Sequence, residues 1–278
     1  MGVIIESVVV ALSGSLRIRS YNTALLRHAA SVAPAGMTVE LADIGDFPLY
    51  NSDLRDEIGM PEPVARVRRQ IQQADGLLIA SPEYNHSLTG VLKNAIDWLS
   101  IGLDSPITRK PTAILGTGGR LGTAKSQAAL RVVLAHKDVH VVNRPEVLVA
   151  GAPSHFDEAL NLVDERTGDQ LRRLMFALDG QIRLDRARER AIVLTTGDEV
   201  LEHAAQLLLE AGYSVVATTD VAWAIAELKT GDLALLVVDP EVAADEQVSA
   251  LALDTDTTLL VSDGVESFFD LLDATRGQ

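Results

Sequence analysis

Three short clusters in this sequence could do chemistry together. The first is Ser13-Gly14-Ser15-Leu16-Arg17-Ile18-Arg19-Ser20-Tyr21-Asn22. It joins an apolar run to a segment of helical period, where unpaired backbone N–H groups and the positive end of a helix attract anions. Gly14 lets the backbone turn, Ser15, Ser20 and Asn22 add donors, and Arg17 adds charge, so a monophosphate suits the loop. The glycine spacing matches neither the dinucleotide fingerprint nor the P-loop. A purely structural use, with Ser20 capping a helix, accounts for part of the same pattern. The second cluster, Ser81-Pro82-Glu83-Tyr84-Asn85-His86-Ser87-Leu88-Thr89-Gly90, follows another apolar run. Pro82 stiffens its turn, and Tyr84 and Asn85 offer an aromatic face and an amide to a flat ring. The third, Gly116-Thr117-Gly118-Gly119, lacks side chains where backbone N–H groups would approach a planar heterocycle.

These clusters need a scaffold that brings loops to one edge. Short apolar runs alternate with helical segments, the pattern of a doubly wound α/β fold around a parallel sheet buried on both faces. Strands are expected at Ser7–Leu12, Met37–Leu41, Gly76–Ala80, Thr112–Leu115 and Val139–Val142. Helical stripes run through Ala24, Leu25, His28, Ala29 and Val32, through Val64, Val67, Ile71 and Ala74, and through Leu88, Leu92, Ala95, Ile96 and Leu99. Leu171, Leu174, Leu178 and Ile182 suggest a fifth helix, which closes in Arg183, Arg186, Arg188 and Arg190. In such a sheet, strands one and three flank the switch point, so the first two clusters should open onto one crevice.

The charge divides sharply. Residues 1–190 hold 22 Lys+Arg and 22 Asp+Glu, whereas residues 191–278 hold 2 and 17, so the whole net charge of −15 lies in the last third. That break marks a domain boundary and argues against nucleic acid or an anionic membrane as its partner. A second, smaller α/β series is expected there: strands Ala191–Thr196, Ser214–Thr218, Leu233–Val238 and Thr258–Val261, with helices Leu201–Ala211, Val221–Leu228, Val242–Leu251 and Val265–Ala274. The absence of cysteine excludes disulfides and thiolate sites and fits a reducing compartment. The N-terminal apolar run reads as a strand and no stretch reaches membrane-spanning length, so a cytoplasmic location is expected. The six histidines lack paired ligand spacing, so no metal is expected. Lys93 and Asp97, four apart, read as a solvated pair, and Trp98 as core or interface.

The stretches GSLRIRSYN at 14–22, PLYNSDL at 48–54, ADGLLIASPEYNHSLTGVLKNAIDWLS at 74–100, KPTAILGTGG at 110–119 and LRVVL at 130–134 resemble the NADPH-dependent FMN reductase family, over residues 7 to about 150. The resemblance implies a flavodoxin-like five-stranded domain at 1–190 that binds FMN. It implies roles at the phosphate for Ser15, Arg17, Ser20, Tyr21 and Asn22, and beside the ring for Pro82, Glu83, Tyr84 and Asn85. It extends more loosely to Thr117, Gly118 and Gly119. It further implies a ping-pong exchange: NADPH or NADH gives hydride to flavin N5, and a quinone, chromate, azo compound or free flavin then collects two electrons. No side chain need act as acid or base. A homodimer or homotetramer is expected on the same ground. A flavodoxin-type electron carrier and a flavin-based redox sensor are alternatives. Residues 191–278 weakly resemble a degenerate response-regulator receiver. Thr195-Thr196-Gly197 stands where that fold carries its acidic pair, Asp198, Asp239 and Asp263 at expected strand ends could together bind a hard cation, and docking on a protein partner or oligomerisation is the expected role.

Overall fold

The computed structural model describes residues 6–102, 105–186, 190–195, 204–206, 208–209, 213–229, 233–244, 248, 250 and 257–261. It falls into two compact units that divide after Arg183.

The first unit is built on five parallel strands: β1 (Ser7–Ser13), β2 (Met37–Ala42), β3 (Gly76–Ala80), β4 (Thr112–Gly118) and β5 (Val147–Ala150), in the order β2-β1-β3-β4-β5. Helices α1 (Tyr21–Ser31), α2 (Ser52–Ile58), α3 (Glu62–Gln73), α4 (Gly90–Leu99), α5 (Ala124–Ala135) and α6 (Glu165–Arg186) make the connections. The inner strands β1, β3 and β4 are largely apolar because helices cover both faces, whereas the edge strand β2 exposes Thr38 and Glu40. With a side-chain period of two, Val10, Leu12, Leu77, Ile79 and Ile114 meet α3, α4 and α5 on one face. Val9, Ala11, Leu78, Ala80, Ala113 and Leu115 meet α1 and α6 on the other. Trp98 is fully buried in the first of these layers, and its Nε1 donates to the Pro48 carbonyl at 2.8 Å. Lys93 and Asp97 form an exposed pair, as the spacing predicts.

One strand lies elsewhere than the sequence predicts. Val139–Val142 makes a single bridge, Thr112 to Val141, at the base of β4. The Thr112 N–H donates to the His140 carbonyl and the Val142 N–H to the Thr112 carbonyl. The edge strand is instead Val147–Ala150, paired from Leu115↔Val147 to Gly118↔Ala150. Both runs are short and apolar, and periodicity cannot rank them; the second reaches the carboxyl end of β4, where the third cluster lies. Beyond β5, Asp164 caps α6, accepting the Thr167 N–H at 2.8 Å.

The second unit is a smaller α/β layer of four parallel strands: β6 (Arg190–Leu194), β7 (Ser214–Thr218), β8 (Leu235–Val238) and β9 (Thr258–Val261), in the order β7-β6-β8-β9. Ala191, Val193, Leu235 and Val237 face one apolar cluster, and Ile192, Leu194, Leu236 and Val238 the other. Helix α7 (Val221–Leu228) is capped by Asp220, and the short α8 (Pro240–Ala243) by Asp239. Arg190 and Glu227 pair at 2.6 Å. Of the expected helix Leu201–Ala211, residues 204–206 and 208–209 are described, and of Val242–Leu251, residues 248 and 250 are helical beyond α8. Helix Val265–Ala274, Thr196, Gly197, Asp198 and Asp263 lie outside the described residues. Among the described residues, no helix is long and apolar enough to cross a membrane, and no three potential ligands cluster as a metal site would require.

Candidate active site

The three clusters occupy the carboxyl ends of β1, β3 and β4, and the chain ties them to one another. Gly14 joins the first to the second: its N–H donates to the Ala80 carbonyl at 2.9 Å, and its carbonyl accepts the Thr89 hydroxyl at 2.8 Å. The loops touch so closely that a Cβ at Gly14 would lie 2.8 Å from Pro82 Cδ. Gly116 does the same between the second and third, since its Cβ would lie 2.6 Å from the Ser81 carbonyl oxygen and against the Thr123 hydroxyl. These two glycines are therefore demanded by strand-end packing.

Asn22 joins the first cluster to the third. Its Nδ2 donates to the Thr117 carbonyl at 2.9 Å and its Oδ1 accepts the Thr117 N–H at 3.0 Å. The Thr117 hydroxyl is itself turned to β5, donating to the Val149 carbonyl at 3.0 Å. Glu83 joins the second cluster to α5. Helix α5 has no side-chain cap of its own at Thr123, and Glu83 Oε2 accepts from the N–H groups of Lys125 at 2.9 Å and Ser126 at 3.2 Å. A carboxylate at that end satisfies orphan donors and meets the positive end of the helix dipole. Ser126 completes the joint: its Oγ donates to the Pro82 carbonyl at 2.8 Å and lies 2.6 Å from Ser81 Oγ.

The residues singled out from the sequence thus divide by what their atoms already do. Ser20 is buried and caps α1, accepting the Thr23 N–H at 3.2 Å. Asn22, Glu83 and Thr117 spend their side-chain oxygens on backbone groups, and Pro82 is buried beside Gly14. Tyr21 packs its ring on Phe156, centroids 5.1 Å apart. Gly118 makes room for the Gly122 carbonyl. What remains open is Ser15, Arg17, Tyr84, Asn85 and Gly119. Arg17 is exposed and pairs with no acid among the described residues, while Arg19 reaches the Glu158 carbonyl. A Cβ at Gly119 would meet nothing within 4 Å. Tyr84 and Ser87 exchange backbone hydrogen bonds of 3.1 and 3.0 Å around Asn85 (φ 50°) and His86 (φ 66°), a type I′ turn that leaves Tyr84 56% exposed.

Four buried groups of this framework, Thr89, Thr123, Ser126 and Gln127, were not singled out from the sequence. Thr89 carried a signal, a threonine before a stretch of helical period, and it caps α4 through the Leu92 N–H. Ser126 and Gln127 carried none, because their partners lie on other loops.

The open groups fit FMN. A guanidinium, a serine hydroxyl and a helix start at one end suit a phosphate, and an exposed phenol, an amide and an uncovered glycine backbone at the other suit a flat heteroaromatic ring.

Comparison with known proteins agrees with this geometry. The family model for NADPH-dependent FMN reductase matches residues 8–154. An NAD(P)H-dependent FMN reductase of Pseudomonas aeruginosa is 47% identical over 176 residues, covering 63% of this chain and 95% of that protein. An NADPH:quinone oxidoreductase of Arabidopsis thaliana is 41% identical over 175 residues, covering 61% and 89%. Among solved structures, FerB, a flavoenzyme NAD(P)H:(acceptor) oxidoreductase from Paracoccus denitrificans, superposes with a TM-score of 0.59 at 32% identity over 64% of this chain and 98% of its own. With three strand-end loops tied to one another and a family match over more than half its length, the chain belongs to the NADPH-dependent FMN reductase family.

Proposed function

We propose that the first unit is an FMN-dependent NAD(P)H oxidoreductase that passes two electrons to a small acceptor of the quinone type. The observation that carries this reading is the division of labour just described, in which buried side chains fix the loops to one another and leave a coherent set of donors and one aromatic face uncommitted. When bound, FMN accepts a hydride equivalent from a reduced nicotinamide and returns two electrons to the acceptor.

The chain's own contribution is placement. Arg17, Ser15 and the N–H groups at the start of α1 hold the phosphate, and Ser20, Tyr21 and Asn22 keep that start in place. Pro82 and Glu83 fix the turn that carries Tyr84 and Asn85 beside the ring, while Thr117, Gly118 and Gly119 set the backbone along its far edge. The exposed Tyr84 and Asn85 would leave nicotinamide and acceptor room to reach a bound ring in turn. By their names one relative is an FMN reductase and another a quinone oxidoreductase, which supports an acceptor of planar, conjugated chemistry.

We also propose a homo-oligomer, and that residues 191–278 serve a protein partner and take no part in electron transfer. Steady-state assay of the FMN-loaded protein with NADPH, NADH and a benzoquinone tests the main reading. Nicotinamide oxidation that requires both FMN and quinone is the expected result. A protein that binds FMN but leaves both nicotinamides unoxidised is an electron carrier, and one that binds no FMN overturns the reading.

A further inference from the structure

We propose that His86 is the acid that delivers the proton a quinone takes up with its two electrons. The inference rests on the reading above and adds to it a catalytic group on the acceptor side.

Reduction of a quinone to a hydroquinone needs one hydride equivalent and one proton. The nicotinamide supplies the first. The second must reach the other carbonyl oxygen as negative charge develops there, and a side chain able to give and regain a proton near neutral pH does this best. His86 is that kind of group on the turn that carries Tyr84 and Asn85.

Three observations single it out. Its backbone lies at φ 66°, next to Asn85 at φ 50°. The second central position of a type I′ turn favours glycine, which has no Cβ to crowd the left-handed backbone. An imidazole is held at that position against the local preference, and strain of this kind gathers at working sites. The ring is then presented outward: the side chain is 71% exposed, and Nε2 has no partner among the described residues. Behind it, Nδ1 lies 3.6 Å from Glu83 Oε1, an ion-pair separation. Glu83 cannot swing away, because its other oxygen is pinned by the N–H groups of Lys125 and Ser126 at the first turn of α5. Glu83 is thus the charged group paired with the ring, with Lys125 and the positive end of α5 beyond it. A carboxylate fixed behind one imidazole nitrogen orients the ring, leaving Nε2 to face a reactant.

The step balances simply. The Nε2–H bond breaks, an O–H bond forms on the quinone oxygen that carries the negative charge, and the N–H electron pair stays on the imidazole. Solvent then returns the proton to His86, and no further reductant is consumed.

The test uses the FMN-loaded full chain and His86→Asn, a side chain that tolerates the left-handed backbone but has no proton to give up near neutral pH. The flavin is reduced with dithionite, and its reoxidation by a benzoquinone and by ferricyanide, which takes electrons without protons, is followed by stopped flow. The expected result is a loss of roughly 100-fold with the benzoquinone, the scale of general acid catalysis, with the ferricyanide rate unchanged. The wild-type quinone rate should also fall as the His86 ring loses its proton, and the variant's should show no such fall. A second readout needs no turnover: in the NMR titration of the His86 ring, added 2-hydroxy-1,4-naphthoquinone anion should move the midpoint upward. Equal losses with both oxidants, an unchanged quinone rate in the variant, or a ring titration indifferent to the anion would each overturn the proposal. Because dithionite replaces the nicotinamide, failure of NADPH or NADH to bleach the flavin strikes only the reading it rests on.

Discussion

The carboxamide of Asn22 on α1 closes a two-point clamp on the peptide groups flanking Thr117 on β4, 95 positions away. The clamp joins the start of α1, proposed to hold the phosphate, to the carboxyl end of β4, proposed to lie along the ring, so one side chain ties the two together. It is 7% exposed, and truncation leaves a donor and an acceptor unsatisfied in a dry place. Asn22→Ala should therefore cost about 1–3 kcal/mol in chemical denaturation. FMN affinity should fall with it, read by fluorescence titration. A variant with unchanged denaturation midpoint would show that Thr117 finds other partners.

The glycine cluster holds two kinds of glycine, and a pair of substitutions separates them. At Gly116 a Cβ would press on the Ser81 carbonyl and Thr123, both fixed by strand pairing or burial, whereas at Gly119 it would enter open space. Gly116→Ala should destabilise by about 1–3 kcal/mol, the range for overpacking a dense interior. Gly119→Ala should stay within about 0.5 kcal/mol of wild type in the same denaturation measurement. Its effect should appear in FMN affinity, because the added methyl stands where the ring edge is proposed to lie.

Much of this was legible in the sequence, and the failures have physical causes. Continuous apolar runs bounded by turn residues mark β1, β3 and β4, because a strand covered on both faces has no polar side to alternate with. The three loops are legible for the same reason, since the switch point of a parallel sheet is fixed once strand order is. What stayed hidden is which atoms are already spent. Asn22 and Glu83 look like ligand donors from their types, yet their oxygens belong to Thr117 and to the α5 start, partners that no local spacing reveals. Val139–Val142 and Val147–Ala150 are both short runs rich in valine, and the pairing with β4 decides between them.

Asp164 gives a pH prediction. The Thr167 hydroxyl and then its N–H hold this carboxyl below the usual carboxylate range, with His155 adding to the effect and partial burial opposing it. A depressed folded-state value means the unfolded chain binds the proton first. The stabilisation is therefore complete above the unfolded value of 3.8 and is lost as pH falls through the lower folded value. Asp164→Asn keeps a capping side chain at α6 and removes the charge. In urea titrations at a series of pH values, the variant's stability should fall less steeply below pH 3.8 than that of the wild type. Parallel curves would place the acid sensitivity in other carboxylates.

The last prediction concerns how much of the chain the reaction needs. Helix α6 contributes Leu171, Leu174, Met175, Leu178 and Ile182 to the same layer as β1, β3 and β4, so the first unit requires it to the end. The Pseudomonas aeruginosa relative is matched over 95% of its length by 176 residues of this chain, so a protein of that size is complete without a counterpart to the acidic unit. A fragment of residues 1–186 should therefore purify yellow, hold FMN in equal proportion, and oxidise NADPH with a benzoquinone at the rate of the full chain. Both quantities are read from one preparation, by absorbance of the bound flavin and by loss of NADPH absorbance. A soluble fragment that loses its flavin would mean that residues 191–278 help hold the crevice, and would make the acidic unit part of the redox machinery.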